Sequence, residues 1–295
     1  MASISPRRRR DDFEAERVYE YPQHLRGAIE DAPTGAGVYI FHGQEGDLPL
    51  YIGKSINIRA RLLSHLRTPN EARMLRQTQR ISHIRTAGEL GALLLEAQMI
   101  KAQHPLFNQK LRRNKQLCSL QMAGDVPQVV YAKDIAFATQ PDLYGLYASR
   151  HAALNALRAV ADQHKLCYGA LGLEKLPLGK ACFRSAIGQC AGVCRGDESP
   201  DAHRERLFTS LLALRVECWP YPGAVGLVER DAELTQIHVV QHWCYLGSTP
   251  TPEAARQLSR TPKPGASQVV DGFDADSYKI LCRPLLTGSL EILIL

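Results

Sequence analysis

The chain has 295 residues, of which 45% are hydrophobic and 22% are charged, and its formal net charge is +6. This length predicts two or three domains, and the composition is that of an ordinary globular protein. No apolar run is long enough to cross a bilayer or to form the core of a signal peptide, so we expect a cytoplasmic protein without a membrane partner.

The positive charge is concentrated in one stretch. Residues 50–116 contain 13 Lys and Arg against three Glu, an excess of +10, whereas the other residues sum to −4. Such a local excess indicates a surface that binds a polyanion, because each neutralised phosphate releases condensed counterions. The simpler alternative is a solvated basic face.

The N-terminal residues 1–31 predict a tail followed by a lead-in helix. Four consecutive arginines at 7–10 and two aspartates follow one another with little apolar content, which is typical of a flexible tail. An extra phosphate contact from these arginines is the alternative. Apolar residues at loosely helical spacing over 17–31 predict a short helix that packs on the next domain.

Two short apolar segments, 37–41 and 50–54, are joined by a connection with two glycines and several polar residues. This pattern predicts a β-hairpin. Alternation over 81–84 predicts a third strand, so we expect a three-stranded sheet.

Three helices accompany this sheet. Asn57 can cap a helix over 58–66, on which Arg61 and His65 share a face separate from the apolar stripe. A second helix is predicted over 71–79. The stripe of the first helix consists of Ile58, Leu62 and Leu66.

The longest helix is predicted over 88–103, and its apolar residues are mostly core. Glu96 lies directly beside them, between Leu95 and Ala97. A carboxylate beside the apolar residues of a helix suggests that Glu96 belongs to a functional site. The alternative is an exposed glutamate that pairs with Lys101 or with solvent.

Five elements now stand in order between residues 37 and 108. Gly37-Val38-Tyr39 is followed by Tyr51-Ile52-Gly53-Lys54-Ser55 and then by Arg61, Glu96 and Asn108. This order resembles the GIY-YIG nuclease module, and residues 50–61 and 93–96 resemble the N-terminal nuclease of the UvrC family of nucleotide excision repair endonucleases. The resemblance implies an α/β (α+β) fold with a GIY-YIG endonuclease domain over 32–116, its small sheet flanked by helices.

The resemblance also implies roles for these residues. Glu96 would hold a single divalent ion, Mg²⁺ or Mn²⁺, and Arg61 would bind the scissile phosphate. Tyr51 would be the general base, and Tyr39 would orient water or phosphate. The charge of Lys54, next to Gly53, is expected to lower the pKa of a neighbouring phenol. Asn108 is expected to bond the backbone. The residues assigned to DNA binding are Lys54, Arg59, Asn108, Lys110, Arg112 and Arg113.

His65 departs from the family pattern, in which many members carry a tyrosine at this position. An imidazole is a better base at neutral pH than a phenol. The general base therefore stays open between Tyr51 and His65, and a phosphate donor or a satisfied helix histidine is the alternative for His65.

Eight cysteines are present, and four of them lie within 28 residues: Cys167, Cys182, Cys190 and Cys194. Four thiolates could enclose a zinc ion or an iron-sulfur cluster, or they could be free core cysteines. The segment 182–194 resembles the cysteine-rich segment of UvrC, which implies a [4Fe-4S] cluster. The isolated Cys118, Cys218, Cys244 and Cys282 are expected to be small buried residues.

The remaining chain is divided at residue 199. Residues 117–199 predict a linker unit, with strands over 126–131 and 143–147 and a helix over 151–164, followed by the cysteine-rich segment. Residues 200–295 predict a mixed α/β domain that docks a partner or positions damaged DNA. Its expected elements are a helix over 200–218, strands over 224–228, 236–243 and 279–285, a helix near 252–258 and a loop over 261–271. In that last region Asp271, Asp274 and Asp276 are expected to be solvated.

The preferred function is a metal-dependent DNA endonuclease of bacterial nucleotide excision repair. Incision on the 3′ side of a lesion, loading by UvrA and UvrB with UvrB as the direct contact, and a place in the SOS response follow from the resemblance alone. One alternative is a DNA-binding repair scaffold with an inactive nuclease module. Another is a structure-specific GIY-YIG nuclease outside excision repair.

Overall fold

The computed structural model describes residues 22–44, 49–109, 117–176, 180–261 and 273–295. Within these ranges the strands form three antiparallel sheets with helices packed against them, which confirms the mixed α/β (α+β) class. Every helix described there is too short or too polar to span a membrane. The arginines at 7–10, Lys110, Arg112, Arg113, Asp271 and nearly all of the loop expected over 261–271 lie outside the described residues.

The first unit has a three-stranded sheet with strand order β2-β1-β3. It confirms the predicted hairpin and the third strand, and Asn57 caps α2 by accepting a hydrogen bond from the Ala60 amide at 3.0 Å. After a 3₁₀ turn at Gln23–Leu25, the elements are α1 Arg26–Glu30, β1 Gly37–His42, β2 Pro49–Ser55, α2 Ile58–Leu66, α3 Ala72–Gln77, β3 Arg80–Arg85 and α4 Glu89–Gln103.

Close approaches in this sheet explain two glycines of the hairpin. Tyr39 pairs with Gly53 across the two strands, and a Cβ on Gly53 would lie 2.3 Å from the Tyr39 hydroxyl oxygen. A Cβ on Gly37 would lie 2.2 Å from the Ile84 carbonyl oxygen. The missing side chain of Gly53 therefore makes the room that the Tyr39 ring occupies.

Helix α4 is buried on two sides. Ile100 packs with Val38 and Ile52 of the first sheet. Leu90 and Leu94 instead join a second core that contains residues of the middle and C-terminal segments. A helix with apolar residues on most of its circumference needs two packing partners.

The middle unit contains a sheet of strand order β5-β4-β6. The predicted strands and helix are confirmed, but the central strand β4 was missed, because Cys, Ser and Gln within it have weak strand preference. The helix predicted to reach 218 ends at Leu211, and it packs in the core of this unit. The elements are β4 Cys118–Ala123, β5 Val126–Tyr131, β6 Leu143–Tyr147, α5 Arg150–Gln163, α6 Phe183–Ala186 and α7 Pro200–Leu211.

The last unit has a four-stranded sheet of order β10-β7-β8-β9. The predicted strands near its start and the helix near 252–258 are confirmed, whereas β9 and β10 were missed. The elements are β7 Val225–Arg230, β8 Thr235–Gln241, β9 Cys244–Thr249, α8 Pro252–Arg260, α9 Ala275–Thr287 and β10 Glu291–Ile294.

The strand predicted over 279–285 is wrong, since these residues belong to helix α9. Tyr278, Leu281 and Leu285 are buried at helical spacing, and Asp274 caps the helix through the Asp276 amide. A short apolar run does not by itself distinguish a strand from a buried helix, and here the packing of one helical face, with a cap at its start, gives the helix.

The strand predicted to reach residue 243 is two residues too long. His242 and Trp243 have φ values of 51° and 63° and form the turn between β8 and β9. Two consecutive residues with positive φ are typical of a tight hairpin. Trp243 in this turn is fully buried.

The expectation of a solvated acidic loop is wrong for two of its residues. Lys101 Nζ lies 2.6 Å from Asp274 Oδ1 and 2.8 Å from Asp276 Oδ2. The pairing of Lys101 with Glu96 that we considered is therefore wrong as well. Instead, Lys101 joins α4 to the beginning of α9.

Candidate active site and cysteine cluster

Two tyrosines on the hairpin form one wall of the candidate active site. Tyr39 on β1 is 1% exposed, and Tyr51 on β2 is half-buried. Their ring centroids lie 6.3 Å apart. The hairpin thus places both predicted tyrosines side by side.

Helix α2 brings Arg61 and His65 to the same tyrosine. Arg61 Nε donates to the Tyr39 hydroxyl at 3.4 Å, and His65 Nε2 lies 2.7 Å from that hydroxyl. Arg61 is exposed, whereas His65 is 2% exposed. Arg61 can therefore meet a ligand from solvent, but His65 reaches it only through Tyr39.

Glu71 is a member of this site that the sequence did not predict. Its Oε2 accepts a hydrogen bond from His65 Nδ1. We call the hydrogen-bonded series Glu71, His65 and Tyr39 the tyrosine relay. Glu71 lies beyond the end of α2, so helical spacing gave no signal, and only the turn at Thr68 and Pro69 returns it to His65.

Glu96 on α4 approaches the opposite side of the hairpin. Its Oε1 accepts a hydrogen bond from the Lys54 amide at 3.1 Å, and the side chain is half-buried. Lys54 Nζ lies 2.5 Å from Glu89 Oε1. The two contacts of Lys54 hold β2 against α4 and leave the Lys54 ammonium already paired.

Burial controls the proton affinity of these groups. It raises the pKa of Tyr51, the negative charge of Glu96 raises it further, and Arg61 opposes both effects. Burial likewise raises the pKa of Tyr39 and of Glu96. The expectation that Lys54 lowers the pKa of a neighbouring phenol is wrong, because both phenols hold their protons more tightly than in water.

Besides Lys54, two further residues assigned to DNA binding make internal contacts. The Asn108 side chain accepts from the Ile52 amide and donates to the Ile52 carbonyl, both at 2.9 Å, which confirms its expected backbone role. Asn108 is 8% exposed. Arg59 Nε donates to the Ala32 carbonyl at 2.6 Å.

The donors around Glu96 suit a hard divalent cation. Oε2 of Glu96 accepts no hydrogen bond from the residues that the structure describes, and the nearby tyrosine groups offer only oxygen. A single carboxylate with several retained waters is a common way to bind Mg²⁺. The residues present therefore fit the ion that the resemblance implies.

The four clustered cysteines converge as expected. The Sγ atoms of Cys167, Cys182, Cys190 and Cys194 all lie within 4.8 Å of one another. The first three are buried and Cys194 is partly exposed. Of the isolated cysteines, Cys118 and Cys244 are buried, while Cys218 and Cys282 are only partly so.

Backbone amides point at two of these sulfurs. The Cys182 amide donates to Cys194 Sγ and the Gly192 amide donates to Cys190 Sγ, both at 3.4 Å. Burial raises the pKa of Cys167 to about 11. For Cys194 burial acts in the same direction, but hydrogen bonds from Cys182 outweigh it and lower the pKa.

The spacing of the sulfurs fits a metal centre. A tetrahedral zinc site with Zn–S bonds of about 2.3 Å places its sulfurs about 3.8 Å apart. In a [4Fe-4S] cluster each thiolate binds a different iron, so the sulfurs must stand further apart than around one ion. The positions described here therefore accept a single ion directly and a cluster after the sulfurs separate.

Three family models match successive parts of the chain. They are the UvrC-like GIY-YIG domain over residues 35–109, the UvrC/Cho excinuclease middle domain over 107–212 and the excinuclease Cho C-terminal domain over 224–295. Together they account for nearly all of the described residues.

Curated relatives agree. Excinuclease Cho of Escherichia coli (strain K12) is 58% identical over 281 residues, which cover 95% of this chain and 92% of the relative. Excinuclease Cho of Salmonella typhimurium is 55% identical, and the match covers 96% of this chain and 94% of that relative. UvrABC system protein C of Microcystis aeruginosa is 31% identical, with 62% of this chain and 30% of the relative covered.

Among solved structures, the GIY-YIG N-terminal endonuclease domain of UvrC from Thermotoga maritima, bound to magnesium, is 34% identical to this chain. The match covers 29% of this chain and 97% of that domain, with a TM-score of 0.27. The three domain matches and the full-length relatives show that the chain is a nuclease and belongs to the excinuclease Cho family, within the wider UvrC group of GIY-YIG nucleases.

Proposed function

We propose that this nuclease hydrolyses one phosphodiester bond of damaged double-stranded DNA, on the 3′ side of a lesion, with Mg²⁺ or Mn²⁺ held by Glu96. The observation that carries the proposal is the convergence of an exposed arginine, two tyrosines and a half-buried carboxylate on the GIY-YIG hairpin. A repair scaffold without catalysis has no need for this combination.

Arg61 is the proposed phosphate ligand. Its guanidinium is exposed, and its Nε is oriented by the Tyr39 hydroxyl. A planar cation that is always charged suits the negative charge that a phosphate gains during attack by water. A divalent ion on Glu96 would supply Lewis-acid stabilisation of the same charge.

The proposed path for the proton of the attacking water is the tyrosine relay. Tyr39 accepts the proton on its hydroxyl oxygen as its own proton moves to His65 Nε2, 2.7 Å away. Glu71 then stabilises the positive imidazole from Nδ1. Tyr51, which is linked to His65 through its hydrogen bond with Tyr39, orients the water or the phosphate.

Loading by UvrA and UvrB, with UvrB as the direct contact, is the proposed source of damage selectivity. Phosphate contacts position a protein on DNA without specifying where it cuts. Membership of the Cho family supports an excision-repair partner over an isolated nuclease. Basic residues of the 50–116 stretch, including Lys54, Arg59, Lys110, Arg112 and Arg113, would assist DNA binding.

A nicking assay tests this proposal. End-labelled duplex with one lesion is incubated with Mg²⁺, UvrA, UvrB and either the wild type or Glu96→Gln. We expect a nick on the 3′ side that requires both loading proteins and Glu96. Equal cleavage by the two chains would contradict the metal role, and a 5′ product would contradict the assigned side.

The choice of proton acceptor is tested separately. Tyr39→Phe should reduce the single-turnover rate far more than Tyr51→Phe, because the hydrogen bond of His65 Nε2 is to the Tyr39 hydroxyl, whereas Tyr51 meets His65 ring to ring. The reverse order would transfer the base role to Tyr51.

We also propose that the four cysteines hold a structural metal centre, with a [4Fe-4S] cluster as the first candidate. The resemblance of 182–194 to the UvrC cysteine segment supports the cluster, whereas the close sulfur spacing supports zinc as the second candidate. Anaerobic purification followed by iron, sulfide and zinc analysis distinguishes them. Iron and sulfide that are lost in Cys190→Ala support the cluster, and stoichiometric zinc supports the alternative.

A further inference from the structure

The helix that carries Glu96 has no N-cap of its own. Gly88 precedes the first residue of α4 and offers no side chain to the free amides of the first turn. Unpaired amides at a buried helix start need an acceptor from elsewhere. Here the acceptor comes from a residue about 140 positions later in the chain.

Glu229 on β7 is that acceptor. Its Oε1 accepts from the Leu90 amide at 2.9 Å, and its Oε2 accepts from the Gly91 amide at 2.7 Å. A Cβ on Gly88 would lie 2.3 Å from Glu229 Oε1, so glycine is required for this approach. A carboxylate at this end of a helix is also stabilised by the helix dipole.

The carboxylate is held in place by the rest of the C-terminal sheet. His238 Nε2 lies 2.9 Å from Glu229 Oε2, and His238 Nδ1 lies 2.7 Å from Ser248 Oγ. The Glu229 side chain is 10% exposed and that of His238 is fully buried. We call Glu229, His238 and Ser248 the helix clamp, because the three residues come from three adjacent strands and end on α4.

Further contacts fix α4 at both ends. At its start, Gln236 Oε1 accepts from the Ala87 amide at 2.9 Å. At its other end, Lys101 is paired with Asp274, the N-cap of α9, and with Asp276 in its first turn. Glu96 lies five residues after Gly91 and five residues before Lys101, midway between the two attachments.

We propose that the C-terminal unit positions Glu96 for metal binding, and that Glu229 is the positioning residue through which it acts. This inference depends on the proposed metal role of Glu96. A helix attached at both ends cannot slide along β2, and the hydrogen bond between Glu96 and the Lys54 amide is thereby kept in register. The C-terminal sheet is then part of the nuclease machinery as well as a neighbouring domain.

The test uses the full-length chain, with Mn²⁺ as the probe. Glu229→Gln preserves the shape of the side chain but places an NH₂ group against the Leu90 or Gly91 amide, which is itself a donor. We expect its Mn²⁺ dissociation constant, measured by electron paramagnetic resonance, to rise about tenfold, as for other groups that orient metal ligands. Hydrogen exchange over residues 89–96 should accelerate in the same variant, and raising the Mn²⁺ concentration should restore cleavage, since the defect lies in metal affinity.

Glu291→Gln is the matched control, since it removes an exposed carboxylate of the same sheet that pairs with Arg230. Unchanged Mn²⁺ affinity in Glu229→Gln would overturn the inference. If Glu229→Gln does not fold, Lys101→Met tests the attachment at the other end of α4. A wild-type Mn²⁺ affinity in Lys101→Met would also overturn the inference. Glu96→Gln separates the two proposals, because Mn²⁺ binding that survives in Glu96→Gln would refute the metal site itself.

Discussion

Among the residues that the structure describes, two series of glutamate, histidine and hydroxyl, each centred on a buried histidine, have similar chemistry and different surroundings. In the tyrosine relay, the hydroxyl end belongs to Tyr39 and contacts the exposed Arg61. In the helix clamp, the hydroxyl end is Ser248, which is bonded to Tyr245, and the carboxylate end of Glu229 binds backbone amides. Composition therefore does not reveal the role of such a series.

What distinguishes the two is the group at each end. The relay ends beside the exposed Arg61, so in the proposed mechanism a proton that moves along it comes from the attacking water. The clamp is closed at both ends by protein groups, so its charge serves to hold a helix. The pKa of Glu229 reflects this, because hydrogen bonds from His238 and two amides outweigh burial and lower it.

The largest effect should come from the open end of the relay. Arg61→Ala removes the proposed phosphate ligand, and we expect a loss of about 1,000-fold in single-turnover cleavage, the scale seen when an oriented charge-stabilising donor is deleted. Arg67→Ala, which removes an exposed arginine just beyond α2, is the control and should stay near the wild-type rate. A comparable loss in both variants would indicate general DNA binding instead of a specific role.

The next effect separates the two series. Glu71→Gln and His65→Gln should each lower the cleavage rate about 100-fold, because both act in one proton path. The double variant should lose little more than either single one, as expected for residues that work as a unit.

His238→Gln is the counterpart in the clamp, and saturating metal should restore its cleavage rate, because the clamp acts through metal affinity and not in the proton path. Additive losses in the relay, or an equal loss in His238→Gln, would remove the distinction between the two series.

The pH dependence of metal binding gives a smaller effect. Burial raises the pKa of Glu96, so a proton competes with the metal at a higher pH than for an exposed glutamate. Below that pKa, the Mn²⁺ dissociation constant should rise about tenfold per pH unit. Calorimetric titration from pH 4 upward measures the slope, and a profile that stays flat to the acid end would contradict the role of Glu96.

The same shift makes a prediction about stability. A raised pKa means that the folded state binds the Glu96 proton more tightly than the unfolded state. The free energy of unfolding without metal therefore falls as the pH rises through the raised pKa of Glu96. Glu96→Gln cannot ionise and should unfold at higher urea concentration than the wild type at pH 7.5 with EDTA. The two should converge at pH 4, and the same difference at both pH values would exclude ionisation as its cause.

The smallest effect on chemistry is expected at Asn108. Asn108→Ala leaves the buried amide and carbonyl of Ile52 without their side-chain partner, which should lower the free energy of unfolding by about 2 kcal/mol. Cleavage by the folded fraction should change little. Asn155→Ala removes an exposed amide on α5 and should cost less than about 0.5 kcal/mol, so equal losses would argue against a structural role for Asn108.

Local patterns were sufficient for much of the nuclease unit. The hairpin, the Asn57 cap, the third strand and helix α4 are produced by turn residues, capping and periodicity within short windows. Local patterns failed where a short apolar run could form a strand or a helix, as over 279–285. They also failed where neighbouring strands stabilised a strand of weak β-propensity, as for β4. Tertiary packing, and not local preference, selected the conformation at these places.

The candidate site shows the same division. Tyr39, Tyr51, Arg61, His65 and Glu96 were named from the sequence, and the structure brings Tyr39, Tyr51, Arg61 and His65 into contact and places Glu96 across β2. Glu71 and Glu229 were not named. Glu71 reaches its partner only after the chain has turned, and Glu229 reaches its partners only after a distant sheet has packed on α4. No spacing along the sequence therefore predicts either contact.

The sequence by itself determined the nuclease motif, its residue types and the four converging cysteines, because these depend on identity and order. Tertiary structure alone decided that His65 is buried behind Tyr39, that Lys54 is paired with Glu89, and that the start of α4 is capped by Glu229. The reason is physical: burial and hydrogen-bond partners are properties of packed surfaces, and surfaces from distant segments meet only in the folded chain.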